Sequence, residues 1–207
     1  MLKWMQIPLG PLQTNCYLLV NERKECIIFD PGSQGEEFNQ YVADQQLQPL
    51  AILLTHAHFD HIGAVDHVKK QWQIPVYLHE LEGEWLTNPS LNGSGRFGDD
   101  ITAQPAEHLI TGEGELEIGP FSFEMFHTPG HSPGSLSYYI KEIQAVVAGD
   151  TLFAGSIGRT DLPGGNHSQL LLSIQDKLLT MPVETEVLPG HGPTTTILDE
   201  KKRNPFL

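Results

Sequence analysis

Basic residues are scarce in this chain. Twelve Lys and Arg stand against 26 Asp and Glu among 207 residues, a formal net charge of -14. Nucleic-acid binders present a basic face to the phosphate backbone, so the balance argues against that class of partner. Long apolar runs are also missing. Nothing reaches the roughly 20 residues that a membrane-spanning helix needs, and Met1–Leu9 lacks the charged-then-apolar pattern of a signal peptide. The expected location is therefore the cytoplasm, with no membrane partner. Cysteine is nearly absent too: Cys16 and Cys26 are the only two, each inside an apolar, strand-like segment. They form no CxxC pair, which argues against a cysteine-based zinc site; the leading reading is two buried free thiols in a reducing compartment, the lesser one a disulfide between neighbouring strands. There are no repeats or low-complexity tracts. A length of 207 residues suits one domain spanning 1–207, with a sizeable core.

What the chain does have is histidine in an unusual place. The run Thr55-His56-Ala57-His58-Phe59-Asp60-His61 puts four metal-donor side chains within six positions, directly after the apolar strand Leu50–Leu54. The end of a buried strand is where α/β sheets put their chemistry. Imidazole with carboxylate suits zinc, iron or manganese, and three His plus one Asp exceed what one tetrahedral site needs once distant ligands are added. Two adjacent metals are the natural expectation.

The rest of the pattern alternates strands and helices. Strands are predicted over Asn15–Val20, Glu25–Phe29, Val76–Leu78, Glu115–Ile118, Phe121–Phe126, Ser135–Ile140, Ala145–Ala148 and Glu186–Leu188. Helices are predicted over Glu36–Gln46, Gly63–Trp72, Glu80–Leu86 and His167–Met181, and a turn-rich loop over Asn88–Asp100. Paired strands with interspersed helices suggest two sheets with helices outside rather than a doubly wound parallel sheet. The further donors obey one rule: each lies just past a predicted strand. His131 sits in Thr128-Pro-Gly-His-Ser132, Asp150 in Gly149-Asp-Thr151 and His191 in Pro189-Gly-His-Gly192. Proline and glycine fix a tight turn and hold the next side chain in place. Asp30, in Asp30-Pro31-Gly32, either orients a ligand His through its second ring nitrogen or serves the turn alone. His127 reads as a structural, hydrogen-bonded residue. His67 reads as lying on the solvated face of the helix after the motif, and His79, His108 and His167 have no donor partners in sequence.

The ordered set THAHFDH, TPGHS, GDT and PGHG resembles the metallo-β-lactamase superfamily over nearly the whole chain. The segment Gly149–Arg159, together with Pro8–Tyr17 and Phe29–Gly32, is similar to its glyoxalase II (hydroxyacylglutathione hydrolase) branch. The resemblance implies an αββα sandwich of two mixed sheets. By position it assigns one metal to His56, His58 and His131, a second to Asp60, His61 and His191, and the bridge to Asp150. Two divalent ions are implied, zinc first, with iron or manganese as alternatives. Such a pair would generate hydroxide for attack on an acyl carbon, with Asp60 also orienting the nucleophile. The implied reaction is hydrolysis of an acyl-thiol such as S-2-hydroxyacylglutathione. A persulfide dioxygenase with one iron on His56, His131 and Asp150, and a lactonase, are the alternatives. A lactamase fits less well because the bridging position is Asp150. Only Thr194–Leu207, with Lys201, Lys202 and Arg203, follows the last ligand, too little for the helical glutathione-binding region of that branch. Arg159 either meets a substrate carboxylate or pairs with Asp161. The sequence carries no signal for an oligomeric state.

Overall fold

A computed structural model describes residues 1–207. The chain divides into two compact units, Met1–Ile110 and Thr111–Leu207. Each is built on one six-stranded sheet.

In the first unit the strands are β1 (Lys3–Leu9), β2 (Thr14–Val20), β3 (Glu25–Phe29), β4 (Gln48–Leu53), β5 (Val76–His79) and β6 (His108–Ile110), and they lie in chain order. β1, β2 and β3 are antiparallel neighbours; β3 to β6 run parallel. Helix α1 (Gly35–Asp44) buries Phe38 and Val42, and α3 (Val65–Trp72) buries Val65 and Val68. These side chains share a core with Leu18, Ile28, Ile52 and Val76 of the sheet. The helix expected over Gly63–Trp72 is α3, which starts two residues later, and a separate short helix, α2 (Phe59–Ile62), precedes it. The break has a local cause: the Ala64 N–H is taken by the Pro31 carbonyl at 2.9 Å, not by the preceding turn. Pro49 falls inside β4, which a central strand tolerates only at an irregularity, and the β3–β4 register does shift there. Residues Glu80–Thr87 are a 3₁₀ stretch, not an α-helix, and the expected irregular loop carries α4 (Pro89–Asn92) and a 3₁₀ turn, Ser94–Phe97.

The second unit contains β7 (Gly114–Ile118), β8 (Phe121–His127), β9 (Leu136–Ile140), β10 (Ala145–Gly149), the small hairpin β11 (Leu152–Phe153) and β12 (Ser156–Ile157), β13 (Glu186–Pro189) and β14 (Thr195–Thr196). The sheet order is β14-β13-β10-β9-β8-β7, antiparallel except for β10 beside β13. β8 shows the period of a half-buried strand, with Phe121, Phe123 and Met125 inward and Ser122 and Glu124 outward. Helix α5 (His167–Asp176) puts Leu170 and Ile174 into a core with Val146, Ala148 and Val187. The predicted helix to Met181 stops early: Lys177 leaves helical geometry, and its ammonium bonds the Glu113 carboxylate and the His127 carbonyl. Burial alone would raise the Glu113 carboxyl, but Lys177 and the His127 N–H outweigh it and hold it below the usual range. Helix α6 (Ile197–Arg203) carries Lys201, Lys202 and Arg203 exposed in its last turn, while its buried Glu200 accepts the Gly155 N–H at 3.0 Å.

Cys16 and Cys26 are free and fully buried, as expected from their apolar surroundings. Burial pushes the Cys26 thiol up to about 12 and raises Cys16 well above its ordinary value, with Asp30 and Cys26 adding to the latter. Neither forms thiolate near neutrality, so a thiol reagent should titrate none in the native protein and two after denaturation. A native-state reaction at either would contradict this packing. No helix is long and apolar enough to cross a membrane.

Candidate metal centre

Parallel pairing explains where the donors stand. In the first unit Phe29 of β3 is level with Leu53 of β4, so the residues after each strand emerge together at one sheet edge. Asp30 follows the first and Thr55–His61 the second. Asp30 is buried and accepts three hydrogen bonds: the Thr55 N–H at 2.7 Å, the Thr55 hydroxyl at 2.6 Å and His61 Nδ1 at 2.9 Å. The contact to a carboxylate puts the His61 proton on Nδ1, leaving the lone pair on Nε2. Because the Thr55 hydroxyl spends its proton on Asp30, its oxygen accepts from His56 Nδ1 at 3.1 Å, and His56 takes the same tautomer. Asp30 thus lies within 4.8 Å of His56 and His61 but on the Nδ1 side, as an orienting group rather than a ligand.

The rings cluster tightly. His56 lies 4.8 Å from His58 and 4.1 Å from His61, centroid to centroid. All three side chains are buried. Asp60, which keeps 15% of its side chain exposed, places Oδ2 3.6 Å from His61 Nε2 and accepts the Thr14 hydroxyl at 2.8 Å. Gly32 lets α2 approach this closely, since a Cβ there would stand 1.7 Å from the Asp60 carbonyl oxygen.

Two braces on this loop were invisible in the sequence. Glu82, fully buried on the 3₁₀ stretch, accepts the Ala57 N–H at 2.6 Å, and Trp85 of the same stretch packs its ring 5.5 Å from His58. The sequence reads Glu80–Leu86 only as a short helix, and the partner of Glu82 is 25 residues away. Glu82→Ala should strand the buried Ala57 N–H. The expected loss is about 1–3 kcal/mol, a fall in Tm of roughly 2–12 °C for a chain of this size. An unchanged thermal melt would remove Glu82 from the support of the loop.

In the second unit the three donor turns are tied to one another. Gly149 of β10 is level with Pro189 of β13, and the Gly190 N–H bonds the Gly149 carbonyl at 2.7 Å. The Thr151 hydroxyl reaches Thr128 at 3.2 Å, joining the Asp150 turn to the His131 turn. The Asn166 N–H bonds the Gly130 carbonyl, and its side chain caps α5 on the Gln169 N–H. His131 Nδ1 donates to the Arg159 carbonyl at 2.8 Å, so its lone pair is also on Nε2. Gly158 makes that approach feasible: a Cβ there would lie 1.9 Å from the Asp150 carbonyl oxygen. Asp150 Oδ2 stands 3.5 Å from His131 Nε2 and 3.5 Å from His191 Nε2.

These separations bear on metal fit. Two ligand atoms each about 2.0–2.2 Å from one tetrahedral ion lie roughly 3.3–3.6 Å apart, whereas a hydrogen bond to nitrogen is usually shorter. The pairs His61–Asp60, His131–Asp150 and His191–Asp150 all fall at that spacing. The donor types and the fixed tautomers fit divalent cations.

The other histidines stand outside these donor groups. His127 Nε2 bonds the Pro133 carbonyl at 2.8 Å, His79 accepts the Leu81 N–H, and His108 stacks on Tyr77. His67 packs its side chain against Gly35, and His167 opens α5. The Arg159 guanidinium, 59% exposed, makes two 2.7 Å bonds to Asp161, which raise its pKa.

The model of the metallo-β-lactamase superfamily matches residues 9–191. A probable metallo-hydrolase, YqgX of Bacillus subtilis, is 58% identical over all of this chain and 98% of its own length. The hydroxyacylglutathione hydrolase GloC of Haemophilus influenzae is 36% identical over 97% of this chain and 96% of its own. Among solved structures, the BLEG-1 B3 metallo-β-lactamase is 57% identical, with a TM-score of 0.98 over 99% of both chains. TTHA1623 in a di-iron-bound form is 42% identical, with a TM-score of 0.88 over 98% of this chain and all of that one. The expected class, α/β with two mixed sheets and helices, is the fold found. The chain belongs to the metallo-β-lactamase superfamily and is a metal-dependent hydrolase of that family.

Proposed function

We propose that this protein is a dinuclear thioester hydrolase acting in the cytoplasm on a small acyl-thiol, with residues 1–207 working as one domain. The observation that carries the reading is the placement of Asp150: one carboxylate oxygen equidistant, at 3.5 Å, from the Nε2 atoms of His131 and His191. If these two imidazoles serve different metals, an oxygen within reach of both would be available to a second ion as well. His56, His58 and His131 would hold one ion, Asp60, His61 and His191 the other, and Asp150 both. Zinc is the first candidate. The di-iron form of TTHA1623 supports a two-metal centre and keeps iron as the alternative.

When bound, two divalent ions would supply polarisation of the acyl carbonyl and a water acidic enough to be a nucleophile near neutrality. The protein does the positioning. Asp30 and the Arg159 carbonyl keep His61 and His131 in the tautomer that presents Nε2. Asp60, held by Thr14, has a free choice of orientation removed, so it can orient the attacking water as well as bind metal. Thiolate leaves without a proton donor, which suits a site whose side chains serve as ligands or their supports. The name of GloC supports the thioester class. Asp161 occupies Nε and Nη2 of Arg159, so a substrate carboxylate would share the guanidinium with it, and exposed pairs of that kind are worth about 0–1 kcal/mol.

A β-lactam is the second reading, favoured by the name of the 57% identical BLEG-1 structure. The deciding experiment is elemental analysis of protein purified without added metal, with assays of hydroxyacyl-thioester, β-lactam and oxygen uptake on the same sample. Two metals per chain with thioester cleavage is the expected result. One iron with oxygen consumption would replace the hydrolase by a dioxygenase.

A further inference from the structure

The first unit contains a cavity of about 260 Å³ directly against Asp60. One wall is the turn between β1 and β2, with Leu9 and Leu12. The other is the segment from Phe97 to Ile101, and Phe59 and Asp60 of α2 complete it. The Phe59 and Phe97 rings pack at 5.3 Å, inclined by 46°. At the rim the fold leaves two large apolar side chains in water, Leu12 at 53% and Phe97 at 65% exposure. Exposed apolar groups around a concave site mark a place for a ligand. The lining has only two charged residues, Asp60 and Asp99, and both are acidic.

We propose that this cavity seats the acyl arm of the substrate and selects arms that are apolar and carry no negative charge. The inference deepens the thioester reading and rests on it. Whole ligands generally need about 300–1,000 Å³, so this space takes part of a substrate. The acyl arm is the part small enough, since a carrier such as glutathione is larger and bears carboxylates. An anionic arm would lose its water against apolar walls, meet no basic partner in the lining and face Asp99. An aromatic or short branched arm gains burial against Phe59 and Phe97. Asp60 is both cavity wall and proposed metal ligand, so an arm seated there ends its carbonyl beside the reacting centre.

The test uses the metal-loaded protein and three thioesters of one neutral thiol, N-acetylcysteamine, carrying acetyl, phenylacetyl or succinyl. The phenylacetyl ester should exceed the acetyl ester by about 10–200-fold in kcat/KM, the range an apolar pocket can supply, and the succinyl ester should be the poorest. Phe97→Ala should remove most of the phenylacetyl preference, and Asp99→Lys should raise succinyl relative to acetyl. Both positions are at the rim, and Phe97 is largely exposed, so both variants should fold. A second readout needs no turnover: calorimetry with 4-phenyl-2-butanone, a ketone without a scissile thioester, should show binding that weakens in Phe97→Ala. Ketone binding that depends on Phe97 in a protein that cleaves no thioester would keep the cavity and remove the thioester reading. Thioester cleavage with a phenylacetyl-to-acetyl ratio indifferent to Phe97→Ala, or a preference for succinyl, would overturn the cavity assignment and leave the hydrolase standing.

Discussion

Asp150→Ala is expected to abolish turnover and metal retention together. The oxygen that stands 3.5 Å from both His131 and His191 disappears, and with it the one anionic donor shared by the second unit's ligands. Imidazoles alone are neutral, so each remaining ligand set holds a dication with less compensating charge. Metal-derived stabilisation of an acyl-transfer transition state amounts to several kcal/mol. At about 1.4 kcal/mol per decade, its loss is at least roughly a thousandfold in kcat/KM. The fold should survive. Asp150 sits on the turn after β10, whose strand bonds to β9 and β13 do not involve the side chain. Elemental analysis, circular dichroism and a thioester assay on one preparation separate these effects. A folded variant that keeps two metals and cleaves within tenfold of the parent would end the bridging role.

The donors were legible because each follows a strand and a turn-former. Thr128-Pro-Gly-His131, Gly149-Asp150 and Pro189-Gly-His191 combine residues whose backbone preferences are local. Local preferences are what a sequence displays. The strands that carry them were legible for the same reason: Val146–Ala148 and Ile52–Leu53 are fully buried and read as apolar runs. β1 was not, because Lys3–Leu9 contains Pro8 and alternates weakly, and it becomes a strand by pairing along the whole of β2. β6 is three residues long, with His108 and Leu109 exposed, and exists by lying beside β5. Both are cases where tertiary pairing outweighs propensity. The supports of the site were hidden in another way. Glu82, Thr14 and the Arg159 carbonyl act across 25, 46 and 28 positions. A lone Glu, a lone Thr and a main-chain oxygen leave no pattern at such distances. The sequence could name the candidate donors, while the groups that hold them had to come from the fold. The Arg159–Asp161 pair was foreseeable as one of two readings, being two residues apart.

Asp30 is the aiming group with the most to lose. Its carboxylate accepts His61 Nδ1, the Thr55 N–H and the Thr55 hydroxyl, and through Thr55 it fixes His56 as well. Asp30→Ala therefore acts on metal and on fold. Groups that orient a metal-bound His commonly govern affinity by about 10–100-fold, and that is the expected loss in a chelator competition. The Thr55 N–H, buried with its residue, is left without its acceptor, at about 1–3 kcal/mol. The backbone adds strain of its own, because Asp30 sits at φ +48°, a region Asp tolerates better than Ala. Asp30→Asn separates the two effects. Its amide keeps the left-handed backbone and one acceptor oxygen for Thr55, so the thermal melt should recover most of the Ala loss. Without the negative charge, His61 loses the partner that raises its basicity toward metal, so chelator resistance should stay low. If Asp30→Ala retains metal as the parent does, or if Asn restores metal and melt together, Asp30 is a turn residue and the tautomer argument for His61 and His56 falls with it.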